Sequence, residues 1–411
     1  MTPSLARRLR MRAGYTWRNS AHPLIIRFRA RWDLRGAASH PAVVSHLGGV
    51  SIGYAGLPEG LSHTLEFTEL RREGTGGGPA LRTSHPLRAG DLGRPERLPA
   101  ADVTIVGTSA ARARRLPTAA ALVLPMKVHL VVDLGRDRAA PHQRVSKRER
   151  WQFSRNQRTR HWVWRTETDP SAFGLFYDRM YRPTMHLRHG SRERTEARDI
   201  AYECLFRTGR LFLLSEGSRR IAGALCHWNP SSATLTLRLL GVLDGADEHY
   251  DSGAFKAVYH FLIRWAADNG VRRVDFQGTE PFLSKGTFQW KRRFGSKVVL
   301  PPNHFGGKRL WLQVRRDTPA VRDFLVANPV LAETPDGLLE AVYFSDACRP
   351  PRLDLSAKAP GVHRTRRIDL DEFLAHLPHE APLPHEAPLP HEAPLPHERS
   401  RPDGRATSRL G

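Results

Sequence analysis

The sequence predicts an α/β fold in which helices flank a mixed central sheet. Apolar runs bounded by turn residues indicate strands, and apolar residues at steps of three and four indicate helices between them. The segments that carry the prediction are strands at 102–106 and 126–133 around a short basic helix at 110–116, and strands at 211–214, 220–228 and 233–242 before a helix over 255–266 and a strand at 271–276. Strands and helices that alternate in this way build a sheet with helices on its faces.

The overall charge favours an anionic partner. The 411 residues include 64 Lys and Arg against 41 Asp and Glu, a formal net charge of +23. Nucleic acid, a phosphorylated substrate, coenzyme A or an acidic membrane surface would fit this charge. Because the charge is spread widely, a basic protein with no nucleic-acid role is an equal alternative. The three cysteines are far apart, which argues against a zinc ribbon or a disulfide framework and fits a reducing cytoplasm.

The first third of the chain combines a basic leader with strand-like segments. We interpret residues 1–30 as a basic N-terminal arm, either a frayed solvated terminus or an amphipathic arm on a membrane or RNA. No apolar run approaches the ~20 residues of a membrane span. The glycine-rich segment 74–79 lacks the Gly-Lys-Ser/Thr of a phosphate-binding loop, so we expect an ordinary loop. Within 126–133, Val128 shares one strand face with other apolar residues, whereas His129 lies on the other.

A basic segment with aromatic residues follows at 144–165. It holds eight Lys and Arg residues against Glu149, with two tryptophans and a phenylalanine interleaved before Trp164. Cations with aromatic rings suit phosphate neutralisation and base stacking. The alternative is a helix that buries its aromatic residues and solvates its arginines. The next helix, at 173–181, should end before Pro183, and the nearby pair His186 and His189 lacks a third ligand, so no metal site is predicted.

The helix over 255–266 is the clearest element of the sequence. Its apolar residues fall on one face, Ser252 is a plausible N-cap, and Asn269-Gly270 is a plausible end. In the strand after it, Val274 and Phe276 point to one side and Asp275 to the other.

Three motifs around this helix carry a resemblance to a known family. They are Asp275-Phe276, Gly278-Thr279-Glu280-Pro281 and Trp290-Lys291-Arg292-Arg293-Phe294-Gly295. In this order they resemble the C-terminal part of the GNAT-like acyltransferases of the FemAB and BioF2-like (CelD) group, over roughly the middle half of the chain. The resemblance implies a tandem pair of GNAT-like units with a degenerate first half at 31–145 and the acyltransferase domain at 146–345.

The remainder of the chain is expected to contribute less to activity. A C-terminal extension is predicted at 346–376. From residue 377 the sequence Leu-Pro-His-Glu-Ala-Pro repeats, and its regular prolines predict an extended disordered tail over 377–411.

The donor should lie at the start of the helix. A helix N-terminus offers unpaired N–H groups and the positive end of the helix dipole, which suit a pyrophosphate or an oxyanion. The candidates are Tyr250, Ser252, Gly253 and Ala254. The resemblance implies acyl-CoA (acetyl-CoA) as co-substrate, bound where two strands separate, although Tyr250 and Phe255 depart from the usual GNAT loop.

Acyl transfer to an amine needs a base and groups that stabilise the developing charge. Asp275 and Glu280 are candidates to orient or deprotonate the acceptor, and Lys291 matches the family's lysine. The alternatives are a salt bridge from Asp275 to Arg272 or Arg273, a solvated turn at Glu280, and a surface basic cluster at Lys291. By the resemblance, Trp151, Arg155, Arg158 and Arg188 are possible acceptor contacts.

We therefore expect a cytoplasmic N-acyltransferase that moves an acyl group from a coenzyme A thioester to a small-molecule or peptide amine. Two alternatives remain open. One is a Fem-like aminoacyl transferase that uses aminoacyl-tRNA, and the other is a non-catalytic nucleic-acid-binding protein. The expected N-acyltransferase needs no metal.

Overall fold

The computed structural model describes residues 4–35, 39–72, 80–135, 140–190 and 195–377. Two predicted segments, the glycine-rich loop at 74–79 and the repeat tail beyond Leu377, lie outside the described residues. In the described ranges, no helix is both long and apolar enough to cross a lipid bilayer.

Helices occur along the whole described chain. They are α1 (Leu5–Asn19), α2 (Pro23–Arg35), α3 (Pro58–Gly60), α4 (Glu66–Arg72), α5 (Ala110–Ala113), α6 (Ala140–Arg144), α7 (Lys147–Arg160), α8 (Pro170–Leu175), α9 (Arg182–His189), α10 (Arg198–Ile200), α11 (Asp247–Asp251), α12 (Ala254–Asp268), α13 (Gly286–Lys291), α14 (Pro319–Ala327) and α15 (Leu370–Leu374). Short 3-10 and π-helical segments lie at Leu61–Leu65, Asp91–Gly93, Pro95–Arg97, Phe176–Tyr181, Ala201–Phe206, Leu243–Gly245, Arg292–Phe294 and His304–Gly307.

The strands form three sheets. They are β1 (Ser39–Leu47), β2 (Val50–Gly56), β3 (Leu81–Arg88), β4 (Val103–Ser109), β5 (Ala121–Pro125), β6 (Val128–Asp133), β7 (Val163–Glu167), β8 (Arg210–Glu216), β9 (Arg219–Asn229), β10 (Thr234–Val242), β11 (Arg273–Thr279), β12 (Lys297–Val299), β13 (Lys308–Val314), β14 (Val330–Glu333), β15 (Leu339–Ser345) and β16 (Val362–Asp369). The strand orders are β3-β1-β2-β4-β13-β5, β12-β6-β11-β10-β9-β8-β7 and β14-β15-β16.

Each sheet mixes parallel and antiparallel pairs. The parallel pairs are β2 with β4, β10 with β11, and β15 with β16. Helices pack beside these sheets, so the predicted α/β architecture of mixed sheets flanked by helices is confirmed.

The helix that the sequence predicts most clearly, α12, packs against the second sheet. Val258, Leu262 and Ala266 of α12 are fully buried, and they pack with Leu235 and Val274 of the sheet. The apolar spacing of three and four residues predicted this face because it gathers these side chains on one side of a helix. The meander β8-β9-β10 that precedes α12 was also predicted.

Two strands join the first and second sheets across the domain boundary predicted at residue 145/146. β6 precedes that boundary but lies between β12 and β11 in the second sheet. β13 follows the boundary but lies between β4 and β5 in the first sheet. The domain boundaries remain predictions. The first sheet, however, contains β13 from beyond the boundary after residue 145, and the second sheet contains β6 from before it.

Three local predictions differ from the structure. The helix expected to end before Pro183 continues through the π-helical segment Phe176–Tyr181 into α9, with Pro183 just after the point where the hydrogen-bonding pattern changes. Gly278 and Thr279, predicted as a turn, belong to β11. The arm expected at residues 1–30, frayed or amphipathic, is not frayed in its described part, which forms α1 and most of α2.

Candidate active site

A β-bulge in β11 forms the centre of the candidate site. Asp275 pairs with Val131 of β6 and Gly278 pairs with His129, so β11 carries one extra residue between these two pairs. Gln277 takes a left-handed conformation with φ 62°, which is uncommon for a residue other than glycine. Its N–H donates to Asp275 Oδ1 over 2.7 Å. Bulges of this kind re-aim side chains and are frequent beside active sites.

His129 and Asp275 form a buried pair across neighbouring strands. The distance between His129 Nδ1 and Asp275 Oδ2 is 2.8 Å, and the two residues are 9% and 4% exposed. With Asp275 ionised, Nδ1 donates the hydrogen bond and Nε2 carries the lone pair that can accept a proton. Arg273, the alternative partner expected for Asp275, lies instead 3.5 Å from Asp133.

Lys291 lies buried beneath the bulge. Its Nζ donates to the Phe276 carbonyl over 2.6 Å. Burial lowers the pKa of Lys291 to about 8, against the opposing effect of the Asp275 and Glu280 carboxylates. The neighbouring Arg293 points away, toward Glu149. The alternative of a surface basic cluster is therefore wrong for Lys291, whose side chain is 7% exposed.

Glu280 follows β11 and is an ion-paired carboxylate. Lys285 Nζ lies 3.1 Å from its Oε2, and His63 Nδ1 lies 3.8 Å from its Oε1. Burial raises the pKa of Glu280, but the positive charges of Lys285 and Lys127 outweigh that effect and hold it below its ordinary value. The alternative of a solvated turn is wrong, because the side chain is only 13% exposed.

The start of α12 brings together the predicted donor residues. Gly253, rather than Ser252, takes the N-cap position, with φ 82°, a conformation that glycine adopts without steric cost. Asn156 Nδ2 of α7 donates to the Ser252 carbonyl over 2.8 Å. Ala254 is fully buried. The ring of Tyr250 lies 4.8 Å from that of Phe255.

The parallel strands β10 and β11 separate just where α12 begins to cover them. They pair only over Thr234–Thr236 and Arg273–Asp275. Beyond these residues β10 continues to Val242 and β11 to Thr279 without pairing to each other. The C-terminal ends of parallel strands lie at the same edge of the sheet as the N-terminus of the connecting helix. The ladder between the two strands therefore ends near the start of α12.

The four predicted acceptor residues lie apart from the His129–Asp275 pair. Trp151 is 59% exposed on α7, with the Arg155 guanidinium 5.5 Å from its ring, and Arg158 is exposed on the same helix. Arg188 lies 3.8 Å from the centre of the Tyr250 ring. None of the four belongs to the described residues that line the cavity beside Asp275.

That cavity has a volume of about 1020 Å³. One face of the second sheet forms one wall, and α1, α2 and the turn between them form another. His129, Asp275, His227 and Arg238 all line it. The register of β10 shifts between Leu237 and Leu239, so Arg238 lies at a second bulge. Its Nε is buried without a hydrogen-bond partner among the described residues.

His129 was not among the residues singled out from the sequence. The predicted alternation in 126–133 did place it on the opposite strand face from Val128. The local pattern could not show that β6 pairs with β11, because this pairing joins residues 146 positions apart.

One further group of titratable side chains lies elsewhere. The side chains of Asp33, Glu59 and His304 are close enough to hold a cation. Lys308 Nζ, however, already lies 2.7 Å from Asp33 Oδ2 and 2.8 Å from Glu59 Oε1. Burial and the Lys308 charge lower the pKa of His304 to about 3. The cluster fits a buried ion-pair network in which Lys308 supplies the positive charge.

The comparisons with known proteins found likeness only among solved structures. No family model and no curated protein matches the chain. The C-terminal domain of a putative lysylphosphatidylglycerol synthetase from Agrobacterium fabrum is 11% identical, covers 75% of this chain and 92% of its own, and has a TM-score of 0.36. FemX is 12% identical, with coverages of 63% and 80% and a TM-score of 0.36. A GCN5-related N-acetyltransferase from Sphaerobacter thermophilus is 14% identical, with coverages of 67% and 76% and a TM-score of 0.30. Because these TM-scores lie below 0.5, the likeness carries no argument about activity.

Proposed function

We propose that the chain is an N-acyltransferase that moves an acyl group from a coenzyme A thioester to an amine. The observation that supports this most is the His129–Asp275 pair, which faces a cavity of about 1020 Å³ beside the separation of β10 and β11. The sequence motifs that resemble GNAT-like acyltransferases supply the donor class.

The pair has the chemistry that the acceptor amine requires. The amine nitrogen attacks the thioester carbonyl, the new C–N bond forms, the C–S bond breaks, and coenzyme A leaves as a thiol. His129 Nε2 takes the proton that the amine loses and returns it to the departing sulfur, and Asp275 stabilises the imidazolium that forms between these two transfers. General base catalysis of this kind contributes roughly 10²–10⁴-fold to a rate.

Lys291 would stabilise the negative charge that develops during transfer. Its Nζ uses one N–H for the Phe276 carbonyl, and an ammonium group has three. Phe276 belongs to the bulge of β11, so Nζ lies beside the point where β10 and β11 cease to pair. Lys291 is not among the described residues that line the cavity. A donor that is fixed in a dry site stabilises a developing oxyanion or thiolate more strongly than water does.

The separation of β10 and β11 and the start of α12 would hold the donor. Unpaired backbone groups of the two strands suit the amide groups of a pantetheine arm. The N-terminus of α12 would offer the pyrophosphate the positive end of its dipole. The N–H groups of Ser252, Gly253 and Ala254 already donate within the chain. Gly253 and Ser252 would lie nearest to that group.

A thiol-release assay with the full chain, acetyl-CoA and a panel of amines tests this proposal. Asp275→Asn should lower kcat by roughly 10²-fold or more, because His129 loses its charged partner. Asp133→Asn is the matched control: it removes a carboxylate that lines the same cavity but pairs with Arg273. Equal effects of the two substitutions would contradict the proposed role of the pair.

Aminoacyl-tRNA is the second candidate donor, and the exposed surface of α7 favours it. Trp151 is 59% exposed with Arg155 beside its ring, and an exposed aromatic ring with a cation can stack on a nucleotide base. Total tRNA should then bind with an affinity that falls steeply with salt and with Trp151→Ala. If transfer from aminoacyl-tRNA is absent or does not depend on Lys291, the non-catalytic alternative is favoured.

A further inference from the structure

The outer face of α2 carries a stripe of large apolar side chains. Leu24, Phe28 and Trp32 are 55%, 63% and 67% exposed. Their spacing of four residues places them in one row along the helix. A single exposed apolar residue is ordinary, but a row of large ones is typical of a surface that binds something.

α1 carries a similar stripe on the side that faces away from the protein. Leu5 is 72% exposed, Leu9 is 58% exposed and Trp17 is 37% exposed. The opposite side of α1 is already used for packing, because Tyr15 is buried and Met11 packs in the same cluster. The helix therefore has two apolar faces, of which folding uses one.

Polar contacts attach both helices to the rest of the described chain. Arg12 of α1 lies 2.7 Å from Glu203, and Asp33 of α2 lies 2.7 Å from Lys308. Arg29 joins the two helices by donating to the Trp17 carbonyl over 3.1 Å. Folding thus positions the helices without covering the outer stripes.

The charge around the stripes is predominantly positive. Residues 4–35 contain nine arginines and one acidic residue, Asp33. Arg10, Arg27 and Arg31 are exposed, and none of them has a salt-bridge partner in the part of the chain that the structure describes. Arg27 and Arg31 lie beside the α2 stripe because they are three residues after Leu24 and Phe28, respectively.

We propose that α1 and α2 form a docking surface for an anionic lipid bilayer. Helices that lie in a membrane interface combine Trp, Phe and Leu on one face with arginines that attract anionic headgroups. RNA would use the arginines and aromatic rings but would gain nothing from Leu5, Leu9 and Leu24. With 15 and 13 residues, the two helices are shorter than the ~20 residues of a membrane span, so they lie on the surface.

Docking would bring the cavity to the lipid surface. The turn between the helices, with Ser20 and His22, lines the same cavity as His129 and Asp275. The proposal itself does not depend on acyl transfer, because it rests on exposure and charge alone.

Sedimentation with lipid vesicles tests the proposal on the full chain. We expect binding to vesicles of phosphatidylcholine mixed with phosphatidylglycerol, and weaker binding to phosphatidylcholine alone. Phe28→Ser with Trp32→Ser should weaken binding by about tenfold or more, because the apolar insertion is lost. Arg27→Gln with Arg31→Gln should weaken binding to the anionic vesicles and reduce its salt dependence.

The control removes exposed apolar residues elsewhere. Leu338 and Leu353 are 41% and 48% exposed, and their replacement by serine should leave vesicle binding unchanged. Circular dichroism and thermal melting would show that each variant is folded. The proposal is overturned if the wild-type chain does not sediment with anionic vesicles, or if the α2 and control variants behave alike. A loss of self-association or of tRNA binding in the α2 variant, without any effect on vesicles, would also overturn it.

Discussion

At the scale of single residues, the candidate site combines an imidazole, a carboxylate and a buried lysine with a lowered pKa. His129 and Asp275 could be paired only once the strands were known, since nothing local in the sequence relates residues 146 positions apart. Asp275 and Lys291 were found because their motifs have a recognisable order. The alternatives for Lys291 and Glu280 failed for one reason: sequence shows charge but not burial.

The lowered pKa of Lys291 should make the free energy of unfolding depend on pH. Its pKa falls from 10.5 to about 8 on folding, so between these values the unfolded chain holds a proton that the folded chain has lost. The free energy of unfolding should therefore gain a contribution that grows from pH 8 to 10.5 and reaches about 3 kcal/mol. Lys291→Met should lack this contribution, as urea unfolding at several pH values would show. Parallel pH profiles of the two proteins would contradict the buried position of the amine.

At the scale of elements, the junction between α11 and α12 depends on close packing. A Cβ on Gly253 would lie 2.7 Å from Asn156 Nδ2. The sequence predicted α12 from its period but placed the cap at Ser252, because the hydroxyl is a strong local signal and the left-handed conformation of Gly253 is not visible in sequence. The bulges in β10 and β11 were not predicted either, because backbone conformation and strand register are not visible in the sequence.

Gly253→Ala should destabilise this junction. Gly253 and Gly270 both have positive φ, 82° and 71°, but nothing lies within 4 Å of a Cβ built on Gly270. Both substitutions should cost about 1–2 kcal/mol for the left-handed conformation, and Gly253→Ala should cost more because it also displaces Asn156. Urea unfolding measures the loss of stability in each variant. An equal loss at the two sites would mean that the Asn156 side chain moves aside without cost.

At the scale of the whole molecule, the first and second sheets are joined by exchanged strands. The resemblance implies a tandem pair of GNAT-like units at 31–145 and 146–345, and strand and helix order alone does not reveal which sheet a strand enters. β6 and β13 each cross that boundary. The order of strands, α12 and the mixed sheets could be predicted from periodicity, whereas long-range pairing could not.

A fragment of residues 146–345 should therefore fail to fold. It lacks β6, which lies between β12 and β11, and would leave two central strand edges unpaired. A fragment of residues 1–378, which covers the compact unit of the chain, should unfold cooperatively at the same temperature as the full chain. Circular dichroism with thermal melting distinguishes the two fragments, and a cooperative transition in fragment 146–345 would show that β6 is dispensable.

The most direct test of the central claim is chemical rescue of His129→Ala. The substitution should lower the rate of thiol release from acetyl-CoA by roughly 10²-fold or more, because the base is lost. Added imidazole should restore part of the rate, since it can enter the cavity of about 1020 Å³ beside Asp275, and it should not accelerate the wild-type chain or Asp133→Asn. A wild-type rate in His129→Ala would contradict the assignment of His129 as the base.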